Sequence, residues 1–270
     1  MKTKVALTIA GSDSCGGAGI QADLKTFSAL GTYGMSVITA VTAQNTTGVV
    51  DVREMDVDIV RKQIDCLFAD IEIDAVKIGM VSNAEIINII AACLRAHKAV
   101  HVVVDPVMVS KSGHHLLRPQ AKEELLKVLF PIAAVVTPNI PEAELITNDK
   151  IENIEQMKKA ARKIYEFGPG CVVVKGGHLT EDAVDVLYDG SSFKYYKGTR
   201  VDTKNTHGTG CTFSSAIAAH LAGGCAVAEA VKQAKEYING AILHAIELGH
   251  GFGPTGHFYD LYQKAGILNE

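Results

Sequence analysis

No stretch of this sequence approaches the about 18 consecutive apolar residues that a membrane-spanning helix needs. Positive charge is not in excess either: 26 lysines and arginines stand against 30 aspartates and glutamates, a net charge of −4. Nucleic acid and anionic membrane surfaces therefore have no electrostatic support as partners, and an anionic ligand needs a local site. The six cysteines, at 15, 66, 93, 171, 211 and 225, form no C-x-x-C pair and read as reduced thiols of a cytoplasmic protein. The motif G-x-x-x-x-G-K-[ST] is missing, which removes the P-loop route to phosphate. H-E-x-x-H is missing too, and histidines 114, 115, 207, 220, 244, 250 and 257 lack zinc-ligand spacing. With no linker, repeat or low-complexity segment, one domain over residues 1–270 is expected. The apolar run in "MKTKVALTIAGSDS" is too short for a leader and is expected to be a first strand.

The composition is that of a chain able to bury a sizeable core, 47% hydrophobic and 21% charged. Apolar runs alternate with helical patterns: "VALTIA" (5–10), "SVITAVTA" (36–43), "AVKIGM" (75–80), "VHVVVDP" (100–106), "AAVVTPN" (133–139) and "CVVVKGG" (171–177). Several are apolar on both faces, the pattern of parallel strands covered by helices on both sides. Between them, Val60, Ile64, Leu67 and Phe68 mark one amphipathic helix, and Ile86, Ile90, Cys93 and Leu94 a second that opens with a capping box at Ser82 and Glu85. Ile154, Met157, Ala161, Ile164 and Tyr165 mark a third. Residues 184–201 break this rhythm around Asp189-Gly190 and predict an antiparallel hairpin. The fold class is thus α/β, a mostly parallel central sheet with helices on both faces and an antiparallel edge hairpin.

In such sheets ligands sit beyond the carboxyl ends of the strands, and the residues there are unusually polar. "GAGIQA" after the first strand satisfies a loose dinucleotide fingerprint, but the acidic residue required after the second strand is replaced by "VTAQNT", which argues against a Rossmann site. Gln44 carries an acceptor and two donors suited to a heterocycle with adjacent ring nitrogen and amino group, or it is an amide satisfied by backbone. Asp105 before Pro106 is a candidate Mg²⁺ ligand or a turn aspartate. Asn139 and Glu142 flank a helix start at Pro141, where an oxygen ligand falls near the same ion. Lys175 at a strand end is placed for a phosphate, or is a surface lysine.

"NTHGTGC" (205–211) opens an apolar helical pattern with small residues, so unpaired N–H groups and the helix dipole point to one spot. That is an anion hole suited to a phosphoryl group in transfer. A cysteine there, Cys211, is expected to have a lowered pKa and an accessible thiolate.

The segments "AGSDSCGGAGIQADLKTFSALGTYG", "ITAVTAQNT", "VKIGM", "VVVDPVM", "VTPNIPEAE", "VVVKGGH", "NTHGTGCTFSSAIAA" and "LGHGFGPTGHF" together resemble the hydroxymethylpyrimidine/phosphomethylpyrimidine kinases of the ribokinase-like superfamily. The resemblance runs from about residue 5 to 258. It implies ATP-dependent phosphorylation of 4-amino-5-hydroxymethyl-2-methylpyrimidine and of its monophosphate, with ATP and Mg²⁺ as cofactors. On this resemblance Gln44, Gly11, Asp23 and Met80 bind the heterocycle, and Asp105 and Glu142 organise the metal. Lys175, Asn139 and Thr206 serve ATP; Gly208, Thr209, Gly210 and Cys211 with Lys175 form the catalytic group. A cytoplasmic homodimer is expected. Related sugar kinases place an aspartate where this chain has Cys211. A pyridoxal kinase of the same fold is the nearest rival reading, and a non-catalytic pyrimidine sensor is one from another class.

Overall fold

The structure, a computed structural model, describes residues 2–108, 119–177 and 183–267; histidines 114 and 115 lie outside them. In chain order the elements are β1 (Val5–Asp13), α1 (Gly19–Ala29), β2 (Tyr33–Asn45), β3 (Gly48–Glu54), α2 (Val57–Asp70), β4 (Ala75–Ile78), α3 (Ala84–Ala96), β5 (Val102–Val104), α4 (Pro119–Glu124), β6 (Val135–Val136), α5 (Ile140–Thr147), α6 (Ile154–Tyr165), β7 (Val172–Val174), β8 (Ala183–Tyr188), β9 (Phe193–Gly198), α7 (Thr209–Ala222), α8 (Val227–Leu243) and α9 (Tyr259–Lys264). A π-helical turn, Leu125–Leu129, continues α4.

Among the described residues the strands form one nine-stranded sheet ordered β3-β2-β1-β4-β5-β6-β7-β8-β9. Strands β2, β1, β4, β5, β6 and β7 run parallel; β3 pairs antiparallel with β2 and β8 with β7, and β9, antiparallel to β8, points the same way as the main strands. The fold is ribokinase-like α/β as the sequence predicts, with the edge hairpin β8–β9 closing at Asp189. One strand beyond the expectation is β3, which pairs back on β2 through "NTTG".

The period-two geometry of a strand explains how "VVV" runs build the fold. Leu7, Ile9, Val76, Val102, Val104, Val136, Val172 and Val174 belong to one buried cluster, under α2, α3 and α6. Their strand neighbours Ala6, Ala75, Val103, Val135 and Val173 belong to another, together with Phe213, Ile217, Val231 and Ile238 of α7 and α8. Each strand therefore feeds two cores at once. The smaller residues Ala6 and Ala75 fall on the α7–α8 face.

The cap of α3 is not the predicted one. Asn83 rather than Ser82 accepts the Ile86 N–H at 2.9 Å, and a second arm of Asn83 reaches Glu54 at 2.9 Å. The amide thus joins two elements, which a serine at the preceding position cannot do.

Candidate active site

Strand order reverses direction at β1: the chain leaves it toward β2 and β3, then returns to β4 on its other side. A crevice opens above such a switch point, and here it is a cavity of about 760 Å³. Its lining follows the strand ends. Gly11 and Asp13 come from β1, Gln44 from β2, Met80 from beyond β4, Asp105 from beyond β5, Asn139 from beyond β6 and Lys175 from beyond β7. Thr206 and Gly208 to Cys211 complete it from the start of α7. Of the residues expected at the site, the structure brings all but one to this cavity.

That one is Asp23. It lies in α1, 0% exposed, with its carboxylate accepting from Thr8 Oγ1 at 2.6 Å, Ser215 Oγ at 2.6 Å and Lys77 Nζ at 2.8 and 2.9 Å. All its acceptor capacity is spent inside the fold, so it is a buried tie between α1, α7 and β4 and has no free oxygen for a ligand. Lys77, also 0% exposed, is held charged above its ordinary range: Asp23 and other nearby acidic groups outweigh the cost of burial.

The start of α7 has the geometry of an anion hole. Gly208 is left-handed, φ 79° and ψ 6°, and caps the helix without a side chain. Thr209 N–H donates to Thr206 O at 3.3 Å, while the N–H groups of Gly210 and Cys211 have no acceptor among the described residues. A Cβ placed on Gly210 would lie 3.3 Å from Asp105 Oδ2 and 3.4 Å from Lys175 Nζ. The free amides, a carboxylate and an ammonium thus converge on one small volume.

Lys175 Nζ donates to Asp105 Oδ1 at 2.8 Å, and Thr137 Oγ1 donates to the same oxygen at 3.0 Å. Burial opposes the charge on Asp105, yet Lys175 and Lys77 outweigh it and keep the carboxyl below its usual range. Glu142 has no such rescue. Burial raises it to about 7, with Lys175 opposing and Asp105 reinforcing. Asn139 and Glu142 form a reciprocal capping box, Asn139 accepting from Glu142 N–H at 2.9 Å and Glu142 Oε2 from Asn139 N–H at 2.8 Å. That holds the Glu142 carboxyl at the cavity wall. No group of three or more His, Cys, Asp or Glu positioned to share a metal occurs among the described residues.

Cys211 departs from expectation. Burial pushes its thiol up to about 11, although Lys77 and a hydrogen bond from Gly19 N–H pull the other way. The lowering expected from the helix start does not prevail: loss of water around the sulfur, with Asp23 and Asp105 adding to it, decides the direction. In the ligand-free chain Cys211 is therefore a neutral thiol. Cys15 is likewise raised by burial, with Asp13 adding to it, and does not line the cavity.

Two residues that the sequence reading passed over stand in the cavity wall. His207 Nε2 lies 2.8 Å from Asp13 Oδ2 and 3.3 Å from the Gln44 amide. The only signal for them was their place in polar segments, "GSDS" at the end of β1 and "NTHG" at the start of α7.

Free helix-end amides, an ammonium and two buried carboxyls at the strand ends of one crevice are the parts used by small-molecule kinases of the ribokinase-like class, and this chain is one of them. It belongs to the phosphomethylpyrimidine kinase family, whose sequence model matches residues 13–256. The hydroxymethylpyrimidine/phosphomethylpyrimidine kinase of Rhizobium meliloti (strain 1021) is 52% identical over 95% of this chain and 98% of its own. The chain spans about half the length, 51%, of a 52% identical relative, the thiamine biosynthesis bifunctional protein ThiED of Geobacter sulfurreducens. Among solved structures, the phosphomethylpyrimidine kinase of Clostridium difficile 630 matches with 54% identity, TM-score 0.80 and coverage of 89% of this chain and 100% of that one. The pyridoxal kinase of Staphylococcus aureus in complex with AMP-PCP and pyridoxal matches with 39% identity, TM-score 0.89 and coverage of 96% and 94%.

Proposed function

We propose that this chain transfers the γ-phosphoryl group of ATP to the hydroxymethyl oxygen of 4-amino-5-hydroxymethyl-2-methylpyrimidine, and then phosphorylates the monophosphate. The observation that carries the reading is the convergence of the free Gly210 and Cys211 amides with Lys175 and Asp105, beside a pocket whose polar reader is Gln44. Gly11 and Met80 pack the ring; Gln44 offers an acceptor for the exocyclic amino group and a donor for the ring nitrogen. Lys175, Asn139 and Thr206 serve the nucleotide. The free N–H groups of Gly210 and Cys211, held in place by Gly208 and Thr209, stabilise charge on the phosphoryl oxygens as it builds.

Asp105 and Glu142 are two buried carboxyls beside Lys175, and burial leaves Glu142 without full compensation for its charge. Two hard oxygen donors fit a Mg²⁺ that completes its shell with water and phosphate oxygens, and such an ion supplies neutralisation of phosphate charge. Cys211, being a neutral thiol, positions the hydroxymethyl oxygen at the mouth of the anion hole; the amides carry most of the transition-state stabilisation. The reading includes a single domain, a cytoplasmic location and a homodimer.

The test is ADP release by the purified chain with Mg-ATP on the pyrimidine alcohol, its monophosphate and pyridoxal, separately. Turnover of both pyrimidines with a higher kcat/KM than pyridoxal is expected. A preference for pyridoxal would transfer the reading to a pyridoxal kinase, and no turnover of any of the three would defeat it.

A further inference from the structure

Asp13 and His207, which no step above uses, lie against the residue assigned to read the heterocycle. Asp13 Oδ1 accepts the Cys15 N–H at 2.8 Å, and Oδ2 accepts from Gly17 N–H at 3.1 Å and Ala18 N–H at 2.8 Å. A carboxylate loaded on both oxygens by backbone donors is an acceptor only. The His207 Nε2 atom 2.8 Å away must therefore carry the ring proton and donate it. His207 is 8% exposed, and its ring presses on Gly17 so closely that a Cβ there would lie 2.3 Å from Cδ2. It cannot swing aside.

In the structure Gln44 Nε2 lies 3.3 Å from His207 Nε2, and Gln44 Oε1 lies 3.3 Å from Thr42 Oγ1. With a donor on His207, that arrangement sets NH₂ against N–H, and an amide turned over, with its oxygen toward His207, is the one that matches. The single proton of Thr42 Oγ1 goes to the closer Ser12 carbonyl at 3.0 Å. Thr42 is thus left as an acceptor, which suits the NH₂ of the turned-over amide. Both neighbours select that turned-over orientation.

We propose that His207, held by Asp13, is a specificity-determining positioning residue that fixes which arm of the Gln44 amide accepts and which donates. The proposal rests on the reading of Gln44 as the group that recognises the aminopyrimidine. An amide of fixed polarity accepts one order of amino donor and ring-nitrogen acceptor; pyridoxal, with no ring amino group, gains little from that order. Because His207 directly precedes Gly208, the recognition contact sits one peptide from the anion hole.

The experiment measures kcat and KM for the pyrimidine alcohol, pyridoxal and ATP in wild type, His207→Leu, His207→Gln, Asp13→Asn, Gln44→Ala and the His207→Leu/Gln44→Ala pair. Loss of a buried positioning hydrogen bond predicts that His207→Leu lowers kcat/KM for the pyrimidine by about 10- to 100-fold, chiefly through KM. The ATP KM and the pyridoxal kcat/KM should change by less than about threefold. His207→Gln, whose N–H reaches where Nε2 was, should recover most of the loss. Asp13→Asn, whose uncharged oxygen holds the imidazole proton more weakly than the carboxylate does, should reproduce part of the loss even if His207→Leu does not fold. In the Gln44→Ala background, removing His207 should cost less than about threefold more. Equal losses on both substrates, no recovery by glutamine, or an undiminished loss without Gln44 would each overturn the proposal. Wild-type turnover is read apart from these: absence of pyrimidine phosphorylation there defeats the functional reading and this proposal with it, whereas normal turnover with unselective variants defeats this proposal alone.

Discussion

Replacing Gly208 by alanine puts a methyl group where the backbone of a neighbouring loop already lies. The residue is left-handed, φ 79° and ψ 6°, a conformation that costs an L-residue about 1–2 kcal/mol. The added Cβ would stand 1.7 Å from Gly17 O and 2.8 Å from Gly17 C, both backbone atoms that no rotamer change can move. The first turn of α7 and the β1–α1 loop must then separate by on the order of 1.5 Å to restore ordinary contact in a close-packed interior. A shift of about 1 Å in groups aimed at a transferring phosphoryl can cost about 10²-fold in rate. Gly208→Ala is therefore expected to lower kcat about 10²-fold and stability by about 1–3 kcal/mol. Gly240→Ala in α8 is the matched control: nothing lies within 4 Å of its Cβ, so relief of glycine's backbone entropy should stabilise by about 0.5–1 kcal/mol with kcat unchanged. ADP release gives kcat, and urea titration gives stability. A Gly208→Ala protein with kcat within about threefold of wild type and an unshifted urea midpoint would refute the geometry of the anion hole.

Cys211→Ala should lower kcat by about 10²-fold while the KM for ATP moves less than about threefold, if the thiol positions the hydroxymethyl oxygen as proposed; a near-normal kcat would leave the amides as the whole of the effect. Lys77→Met leaves the Asp23 carboxylate buried without its ammonium and should cost about 3–5 kcal/mol in urea unfolding, with most of it regained on adding Asp23→Leu. His257 is buried at 5% exposure with Nε2 3.0 Å from Thr212 Oγ1, and burial takes its pKa from 6.5 to about 4. Between those values the unfolded chain binds a proton that the folded chain refuses. The contribution is thus complete above pH 6.5 and lost as pH falls toward 4, about 3 kcal/mol in all. His257→Gln should flatten that part of the pH profile of stability, and profiles parallel to wild type would reject the assignment.

The resemblance of whole segments, from "AGSDSCGG" to "LGHGFGPTGHF", already indicated the kinase family. The alternation of strands with helices, the two-sided burial of "VVV" runs, the polar strand ends and the small residues opening α7 were legible because each is a local property: side-chain period, turn chemistry and the helix terminus act within a few residues. Gln44, Asp105, Asn139, Glu142 and Lys175 were found at strand ends for that reason. Asp23 shows where this stops. It sits in the same loop-to-helix segment as the cavity residues, yet the rotation of α1 turns it inward onto Lys77, 54 positions away in the chain. Cys211 shows it again: a helix start lowers a thiol's pKa, but how much water the sulfur keeps depends on Gly19, Lys77 and the sheet beneath, and burial prevails. The Asp13–His207 contact joins residues 194 apart, and no spacing rule links them. Sequence determined the elements and which residues stand at their ends. Only the tertiary structure decided which of those residues meet, which are desolvated and which face the ligand, because dielectric and contact are set by neighbours that the chain brings together from far away.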